Sequence, residues 1–217
     1  TNAATTFMPD AISCSWQDPS VTGTAQCASV YVSALNALEA AGIAVCFSAG
    51  NSGSGASTIT PPKNINTDSV NVFCVGAVDG NTVGTPIASF SSRGPSICGG
   101  TGTLLIKPEV SAPGVNVRSS LPNNSYGNNS GTSMASPHVA GAIAILKQVA
   151  PNMTGRQIKA ILFSTATDLG VAGEDNTYGK GLINLEAAFQ QMGLFPLNAF
   201  NLQSPPANAR VETFPNS

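Results

Sequence analysis

The segment Gly131–Gly141, with the sequence Gly-Thr-Ser-Met-Ala-Ser-Pro-His-Val-Ala-Gly, constrains the fold of this chain more than any other stretch. It continues directly into the apolar run Ala142–Leu146. Thr132 is of a residue type that commonly caps helices, so we predict a helix that begins at Ser133 or Met134. Because nearly every later position is apolar, this helix is expected to run through the middle of a hydrophobic core.

Ser133 would then lie at a rigid helix N-terminus. The unpaired N–H groups and the positive end of the helix dipole can stabilise an oxyanion that forms close to its Oγ atom. Gly131 lets a ligand approach the backbone without hindrance. The pattern is not the Gly-x-Ser-x-Gly turn of the α/β-hydrolases, because Ala135 occupies its last position. The alternative is that Ser133 only caps a buried helix.

A strand, a helix and a second strand are predicted in the first part of the chain. Asp10–Trp16 has the pattern of a short strand, and Ala25–Ala41 carries apolar residues at helical spacing and is closed by Gly42. The continuous apolar run Ile43–Phe47 is typical of a strand that is buried on both faces, and Val70–Asp79 is another. Such a βαβ unit predicts a parallel sheet and therefore an α/β fold.

Two short segments follow the ends of the first two strands. Ser15–Gln17 and Ala49–Asn51 lie just beyond the carboxyl ends of these strands, where ligands bind in open parallel sheets. An Asn that follows Gly, as Asn51 does, is by itself most often a turn residue. The position of these segments nevertheless makes them candidates for a binding site.

The eleven residues Gly131–Gly141 resemble the serine signature of the subtilases, the subtilisin-like serine peptidases. The resemblance extends from about Pro9 to Gln190. The sequences of two segments, Ser48–Asn51 and Lys107–Gly114, are most similar to the secreted bacillopeptidase-F-like branch of the family, and so is the small insertion Ser96–Ile106. The other segments that carry it are Ser48–Asn51, Val70–Asp79, Ser89–Pro95, Lys107–Gly114 and Tyr178–Asn184.

This resemblance implies a three-layer, doubly wound α/β fold with a mostly parallel sheet, incomplete here at its N-terminal side. It implies that Ser133 is the nucleophile and that the Asn51 amide donates to the oxyanion. Ser15, Trp16 and Gln17 would pair with the substrate backbone as an added strand. Gln17 stands where the family usually has Gly, and Trp16 is alternatively a core or rim aromatic. The other substrate-binding residues implied are Thr132 and, as a wall of the primary specificity pocket, Ala49 and Gly50.

The base and the carboxylate that a serine peptidase requires are not identified in these 217 residues. Subtilases order them Asp, His, Ser along the chain, and neither Gly-His-Gly-Thr nor Asp-Thr-Gly or Asp-Ser-Gly occurs here. The single histidine, His138, lies five residues after Ser133 and is expected on a different face of the helix. In the family this histidine packs inside the helix and is not the base.

We therefore predict that the chain is the C-terminal half of a subtilase catalytic domain, with the Asp and His of the triad before Thr1. The alternative is that the active site has been lost. The 217 residues alone are expected to be inactive and to need the N-terminal part of the domain as a partner. Without it, the sheet edge beside Ala11–Ser15 would leave apolar surface in water.

The function predicted for the parent protein is that of a secreted serine endopeptidase that acts on polypeptides. One alternative is a peptide ligase or cyclase on the same fold, which would keep water away from the acyl-enzyme. The other is a non-catalytic homologue that still binds peptides after losing its base.

The composition excludes several other classes of protein. Only 9% of residues are charged and the net charge is −2, so no basic patch for nucleic acid is present. No apolar run is long enough to span a membrane. The five cysteines show no Cys-x-x-Cys motif and no metal ligand set, and Cys14, Cys46 and Cys74 are expected as buried free thiols. No cofactor is predicted, apart from a structural calcium ion that the family resemblance makes possible.

The end of the chain differs from the rest. Two helices are predicted after the serine segment, Thr154–Ser164 with Thr154 as its N-cap and Leu185–Gln191. Residues 1–191 are therefore assigned to the catalytic domain. Residues 192–217 are rich in Pro and Asn and are predicted to be a linker or the start of a further β-domain.

Overall fold

The computed structural model describes residues 8–18, 27, 30–65, 68 and 70–194. These residues form an α/β fold with a four-stranded parallel sheet, a two-stranded antiparallel hairpin and four α-helices. The strands are β1 Ala11–Cys14, β2 Ala44–Ser48, β3 Phe73–Val78, β4 Val110–Pro113, β5 Val117–Leu121 and β6 Ser125–Asn129. The helices are α1 Val30–Ala40, α2 Thr132–Val149, α3 Gly155–Ser164 and α4 Leu185–Gln191, and a 3₁₀ turn spans Gly102–Leu105.

The main sheet has the strand order β1-β2-β3-β4, and each neighbouring pair is parallel. Ala11 lies opposite Ala44, and Val75 lies opposite Val110. The carboxyl ends of the four strands therefore meet at one end of the sheet, which is where parallel sheets place their ligands. Within the described residues, β1 and β4 are the two outer strands.

Strand β2 shows why the sheet is covered on both faces. All five of its residues are buried. Ala44 and Cys46 pack with α2 and α3, whereas Val45 and Phe47 pack with Leu35 of α1. Successive side chains of a strand point to opposite faces, so an unbroken apolar run needs a helical layer on each side. The predicted parallel α/β fold with three layers is confirmed.

Helix α2 is buried along one face rather than all round. The residues of this face that pack in the core are Ala135, Val139, Ala142, Ile143 and Leu146. On the opposite face, Ile145 and Val149 are each 46% exposed. The expectation that this helix runs through the middle of the core is therefore wrong for the described structure. An apolar sequence shows which residues can be buried, but not which of them another layer covers.

The start of α2 also differs from the prediction by one residue. Gly131 is the N-cap and Thr132 is already helical, and the Thr132 side chain makes no capping hydrogen bond. Its hydroxyl bonds instead to the segment that follows β2. The predicted cap was wrong because this tertiary contact replaces the local one.

The other helices follow their predicted patterns more closely. Thr154 caps α3, since its Oγ1 accepts from the N–H of Gln157 while the Gln157 side chain accepts from the N–H of Thr154. Helix α4 has the predicted bounds. Helix α1 is described from Val30, and the earlier part of the prediction Ala25–Ala41 includes residues 25, 26, 28 and 29, which lie outside the described residues.

The hairpin β5–β6 was not predicted from the sequence. It is inserted between Gly114 and Gly131, and the N–H of Gly131 donates to the carbonyl oxygen of Gly114 at 2.8 Å. Most of its residues are exposed and polar, so they lack the alternation by which a half-buried strand is recognised. Its turn places Asn123 and Asn124 at φ values of 63° and 52°, which Asn tolerates.

The cysteines divide into one disulfide and three free thiols. Cys27 and Cys98 are bonded, and Cys14, Cys46 and Cys74 are free, as predicted. Cys46 and Cys74 are buried as expected, whereas Cys14 is only partly buried. Burial raises the pKa of the Cys46 and Cys74 thiols to about 12. These two cysteines therefore act as small apolar core residues.

The described chain ends at residue 194, so most of the predicted linker 192–217 lies outside the described residues. Among the helices that are described, none has the length and hydropathy needed to cross a membrane.

Candidate active site

The ends of β1 and β2 meet the start of α2 around an open pocket of about 310 Å³. Seven residues that the sequence indicated are part of its lining: Ser15, Trp16, Gln17, Gly50, Asn51, Thr132 and Ser133. Ser48, Ser52 and Lys63 complete it. Ala49, the eighth indicated residue, is fully buried behind the pocket against Ile59 and Cys74.

Hydrogen bonds hold the start of α2 against the end of β1. The Ser15 hydroxyl donates to the carbonyl oxygen of Ser133 at 3.5 Å. The hydroxyls of Ser13 and Ser136 are 2.9 Å apart, and Ser136 is fully buried. The contact at Ser136 ties the first turn of α2, which contains Ser133, to β1, and the contact from Ser15 is longer than an ordinary hydrogen bond between oxygens. A reactive side chain on such a rigid support keeps its position better than one on a loop.

The side-chain amide of Asn51 is held in one orientation. The N–H and the hydroxyl of Thr132 each lie 3.0 Å from Asn51 Oδ1 and donate to it. The Thr132 hydroxyl accepts in turn from the backbone N–H of Gly50 at 3.0 Å. Because two donors occupy the Oδ1 end, the opposite end of the amide must be the NH₂ group. Asn51 therefore presents N–H donors, not an acceptor, at its free end.

A small space beside Gly131 is bordered by two N–H groups and by the sulfur atom of Met134, which would lie 3.7 Å from a methyl group built there. A methyl group built on Gly131 would lie 3.5 Å from Nδ2 of Asn51 and 3.7 Å from the backbone nitrogen of Ser133. With only hydrogen at Gly131, this space stays open. An oxygen atom that gains negative charge there can accept hydrogen bonds from both groups.

Ser133 has no positioned base within the described part of the chain. It is half-buried, and no described side chain accepts a hydrogen bond from its Oγ. His138 is exposed, whereas the family resemblance implied that it packs inside the helix. Its Nδ1 lies 2.8 Å from the carbonyl oxygen of Met134 and must be protonated to donate to it. His138 and Ser133 both border a second open pocket, of about 280 Å³, but no hydrogen bond joins these two described residues.

Two side chains form the outer rim of the first pocket. Trp16 is 48% exposed, and its ring lies 5.9 Å from the ring of Phe47 and 6.4 Å from that of Tyr31, measured between centroids. It therefore lies at the rim of the pocket rather than in the core. Gln17 is exposed, and its Oε1 accepts from the hydroxyl of Thr60 at 3.1 Å. That bond ties its side chain to the neighbouring loop.

Comparison with known proteins identifies the family. The sequence pattern of the Subtilase family matches residues 3–181. This chain belongs to that family. It is 46% identical over 157 residues to subtilisin DY of Bacillus licheniformis, and the aligned region covers 72% of this chain and 50% of the relative. It is 41% identical over 155 residues to subtilisin BL of Lederbergia lenta, covering 71% and 49%. It is 43% identical over 152 residues to subtilisin E of Bacillus subtilis strain 168, covering 69% and 34%.

This subtilase chain thus spans about half the length of the first two of these relatives. The family assignment agrees with the parallel α/β fold described above. It establishes a subtilisin-like serine peptidase family without deciding the role of any single residue.

Three residues of the pocket lining, Ser48, Ser52 and Lys63, were not indicated by the sequence, and Lys63 is the charged one. Lys63 is only 2% exposed, and its Nζ donates to the carbonyl oxygen of Trp16 at 3.4 Å. Burial lowers the pKa of Lys63, and the Cys74 thiol acts in the opposite direction. A lone lysine in a loop is ordinarily solvated. The two prolines directly before it, Pro61 and Pro62, were the only local sign of an ordered loop.

The chemistry of this subtilase pocket does not favour a cation. Among the described residues, no group of three or more His, Cys, Asp or Glu side chains could hold a metal ion. The pocket is lined instead by hydroxyl groups, the free amide end of Asn51 and the ammonium group of Lys63. Donors of this kind bind anionic or carbonyl oxygens.

Proposed function

We propose that the complete protein is a serine endopeptidase that hydrolyses peptide bonds through an acyl-enzyme on Ser133. The hydroxyl oxygen attacks the carbonyl carbon while its proton passes to a base, and that proton then leaves with the amine of the cleaved bond. Water hydrolyses the ester in the second half of the reaction and restores the hydroxyl of Ser133.

The orientation of the Asn51 amide is the observation that carries this proposal. Thr132 holds its oxygen, and its nitrogen borders the same space as the backbone nitrogen of Ser133. Two N–H donors beside a serine hydroxyl suit the oxyanion of a tetrahedral intermediate. A residue that served only to end a turn would not need its amide fixed by a second segment of the chain.

We propose that the base and the carboxylate come from sequence outside these 217 residues, in the order Asp, His, Ser that subtilases use. Two observations support this. The single histidine of the chain, His138, bonds through Nδ1 to the carbonyl oxygen of Met134 and accepts no hydrogen bond from the Ser133 hydroxyl. The alignments with subtilisin DY and subtilisin BL also leave about half of each relative uncovered.

The substrate is proposed to bind as an extended strand beside Ser15–Gln17, with its reacting carbonyl at Ser133. These residues follow β1, an outer strand of the described sheet, and line the pocket together with Ser133. We also propose that the protein acts outside the cell, which the Cys27–Cys98 disulfide supports because disulfides persist in oxidising compartments. A structural calcium ion is a further proposal from the family resemblance, and no described residue is assigned to it.

A second candidate function is peptide binding without catalysis. The observation that favours it is the absence, among the described side chains, of an acceptor for the Ser133 hydroxyl. Such a protein would hold peptides in the same pocket and form no acyl-enzyme, because a serine hydroxyl without a base is a weak nucleophile.

Labelling with a fluorophosphonate separates the two candidates. In the full-length protein we expect rapid labelling of Ser133 and hydrolysis of peptides. Ser133→Ala should abolish both, with a loss of turnover on the order of a millionfold, the magnitude known for the serine of subtilisin itself. Ser130→Ala is the matched control, because Ser130 is exposed and its hydroxyl only accepts from the N–H of Asn116. Unchanged labelling of Ser133→Ala would exclude Ser133 as the nucleophile.

A further inference from the structure

We propose that Lys63 selects acidic substrates, so that the enzyme cleaves after Glu or Asp. This inference rests on the proposed function, since it places the substrate residue that acylates Ser133 in the pocket that Lys63 lines. It adds a specificity-determining residue from the loop that follows β2.

The ammonium group of Lys63 lies between the two segments that follow β1 and β2. It donates to the carbonyl oxygen of Trp16 at 3.4 Å. A methyl group built on Gly50 would lie 3.6 Å from its nitrogen. Trp16, Gly50 and Ser133 all line the same pocket. The charged end of Lys63 therefore belongs to the wall of this pocket.

The charge of Lys63 is uncompensated within the described part of the chain. The residue is 2% exposed, and no described carboxylate forms an ion pair with it. An ammonium group has three N–H donors, of which one donates to Trp16. Removing such a charge from water is costly unless an opposite charge and acceptors are supplied. A carboxylate that enters the pocket supplies both.

The position of the pocket explains why the carboxylate would come from the substrate. A peptide that lies along Ser15–Gln17 with its carbonyl carbon at Ser133 directs the side chain of that same residue towards the pocket. Glu or Asp at this position brings its carboxylate to the ammonium of Lys63. A neutral side chain of the same size would leave the charge of Lys63 without a counter-charge.

The test compares peptide p-nitroanilides that differ only in the residue before the scissile bond. With the full-length protein, we expect kcat/KM for Glu to exceed that for the isosteric Gln by about tenfold or more, as for close charge pairs in desolvated interfaces. Lys63→Met, which keeps an unbranched side chain of similar length, should bring this ratio to about one. Lys180→Met is the matched control, because Lys180 lies against Phe163 of α3, and it should keep the preference.

The fraction of active enzyme is determined in each variant by fluorophosphonate titration of Ser133, so that a folding defect does not count as a change in specificity. If Ser133 is labelled and Gln is cleaved as well as Glu, Lys63 has only a structural role and the inference is wrong, while the proposed function stands. If Ser133 is not labelled, the proposed function fails. In that case calorimetry measures the affinities of the Glu and Gln peptide amides for the protein. The inference about Lys63 holds only if the Glu peptide binds more tightly.

Discussion

The described part of this chain contains three fully buried lysines, and their surroundings differ. Lys107 forms an ion pair with Glu109 and donates to the carbonyl oxygen of Val72 at 2.8 Å. Lys159 lies 2.6 Å from a carboxylate oxygen of Glu39. Lys63 has one hydrogen bond, to a backbone carbonyl, and no ion pair among the described residues.

The difference separates the groups that stabilise the fold from those available to a ligand. Lys107 links the segment before β4 to the segment before β3, and Lys159 links α3 to α1. Each buried charge is paired with a carboxylate of the chain itself. At the pocket, by contrast, the Lys63 ammonium and the free amide end of Asn51 are left with unused donors. Asn51 is exposed, whereas Lys63 is buried. Buried donors without partners are uncommon, so Lys63 is the residue at which a ligand that supplies an acceptor matters most.

A stability measurement tests the interior side of this comparison and has the largest expected effect. At about pH 8, where the Glu109 carboxyl is ionised, Glu109→Gln should lower the free energy of unfolding by about 3–5 kcal/mol, because it leaves the charge of Lys107 buried without a partner. Glu186→Gln is the control, since Glu186 is exposed at the start of α4 and should cost less than about 1 kcal/mol. Denaturant unfolding of the full-length protein measures both.

The same measurement on Lys63→Met sharpens the comparison. Removal of a buried charge that has no partner should leave the stability unchanged or raise it. If Lys63→Met were as destabilising as Glu109→Gln, Lys63 would belong with the structural lysines and the distinction would fail.

Asn51→Ala tests the pocket side through turnover. We expect kcat to fall by about a hundred- to a thousandfold, which is the range known for the loss of this donor in subtilisin itself. KM should change little, because the oxyanion exists only close to the transition state. Asn81→Ala is the control, since Asn81 is exposed and bonds to Asp79 in a loop outside the pocket. A rise in KM with unchanged kcat would contradict the oxyanion role.

The interior pair should also give a pH dependence of stability, of a size similar to the effects above. Burial raises the pKa of Glu109 to about 7, although Lys107 acts in the opposite direction. A pKa that is higher in the folded than in the unfolded state gives stability that is present below the ordinary value of 4.5 and is lost as the pH rises through about 7.

The difference in unfolding free energy between the unchanged protein and Glu109→Gln should therefore shrink from about pH 5 to about pH 8. Unfolding measurements at both pH values give this difference directly. A difference that grows with pH would mean that attraction to Lys107 outweighs burial and lowers the pKa of Glu109.

Much of the fold could be predicted because it depends on local patterns. The apolar run Ile43–Phe47 predicted β2 to within one residue at each end, and the capping pair Thr154 and Gln157 fixed the start of α3. The segment Gly131–Gly141 predicted a helix that begins beside a reactive serine, and the structure starts that helix at Thr132. Each of these signals lies within one element, so no distant contact was needed to interpret it.

The predictions that were wrong or missing concern features that a local sequence pattern does not encode. The cap assigned to Thr132 was wrong because its hydroxyl bonds to Gly50 and Asn51, which are about eighty residues away in sequence. The central position assigned to α2 was wrong because burial of Ile145 and Val149 depends on which layers surround the helix. The hairpin β5–β6 was missed because an exposed polar strand carries no hydrophobic period.

The sequence by itself determined the family, the parallel sheet and the segments that supply the candidate site, because these depend on motif, hydrophobic period and strand order. Only the tertiary structure decided which end of the Asn51 amide faces the pocket and whether a lysine in a loop is solvated or buried. Both depend on segments that are distant in the chain and meet where parallel strands end. At Lys63 it is this meeting, and no local pattern, that places a buried ammonium group, without an ion pair among the described residues, in the pocket that Ser133 also lines.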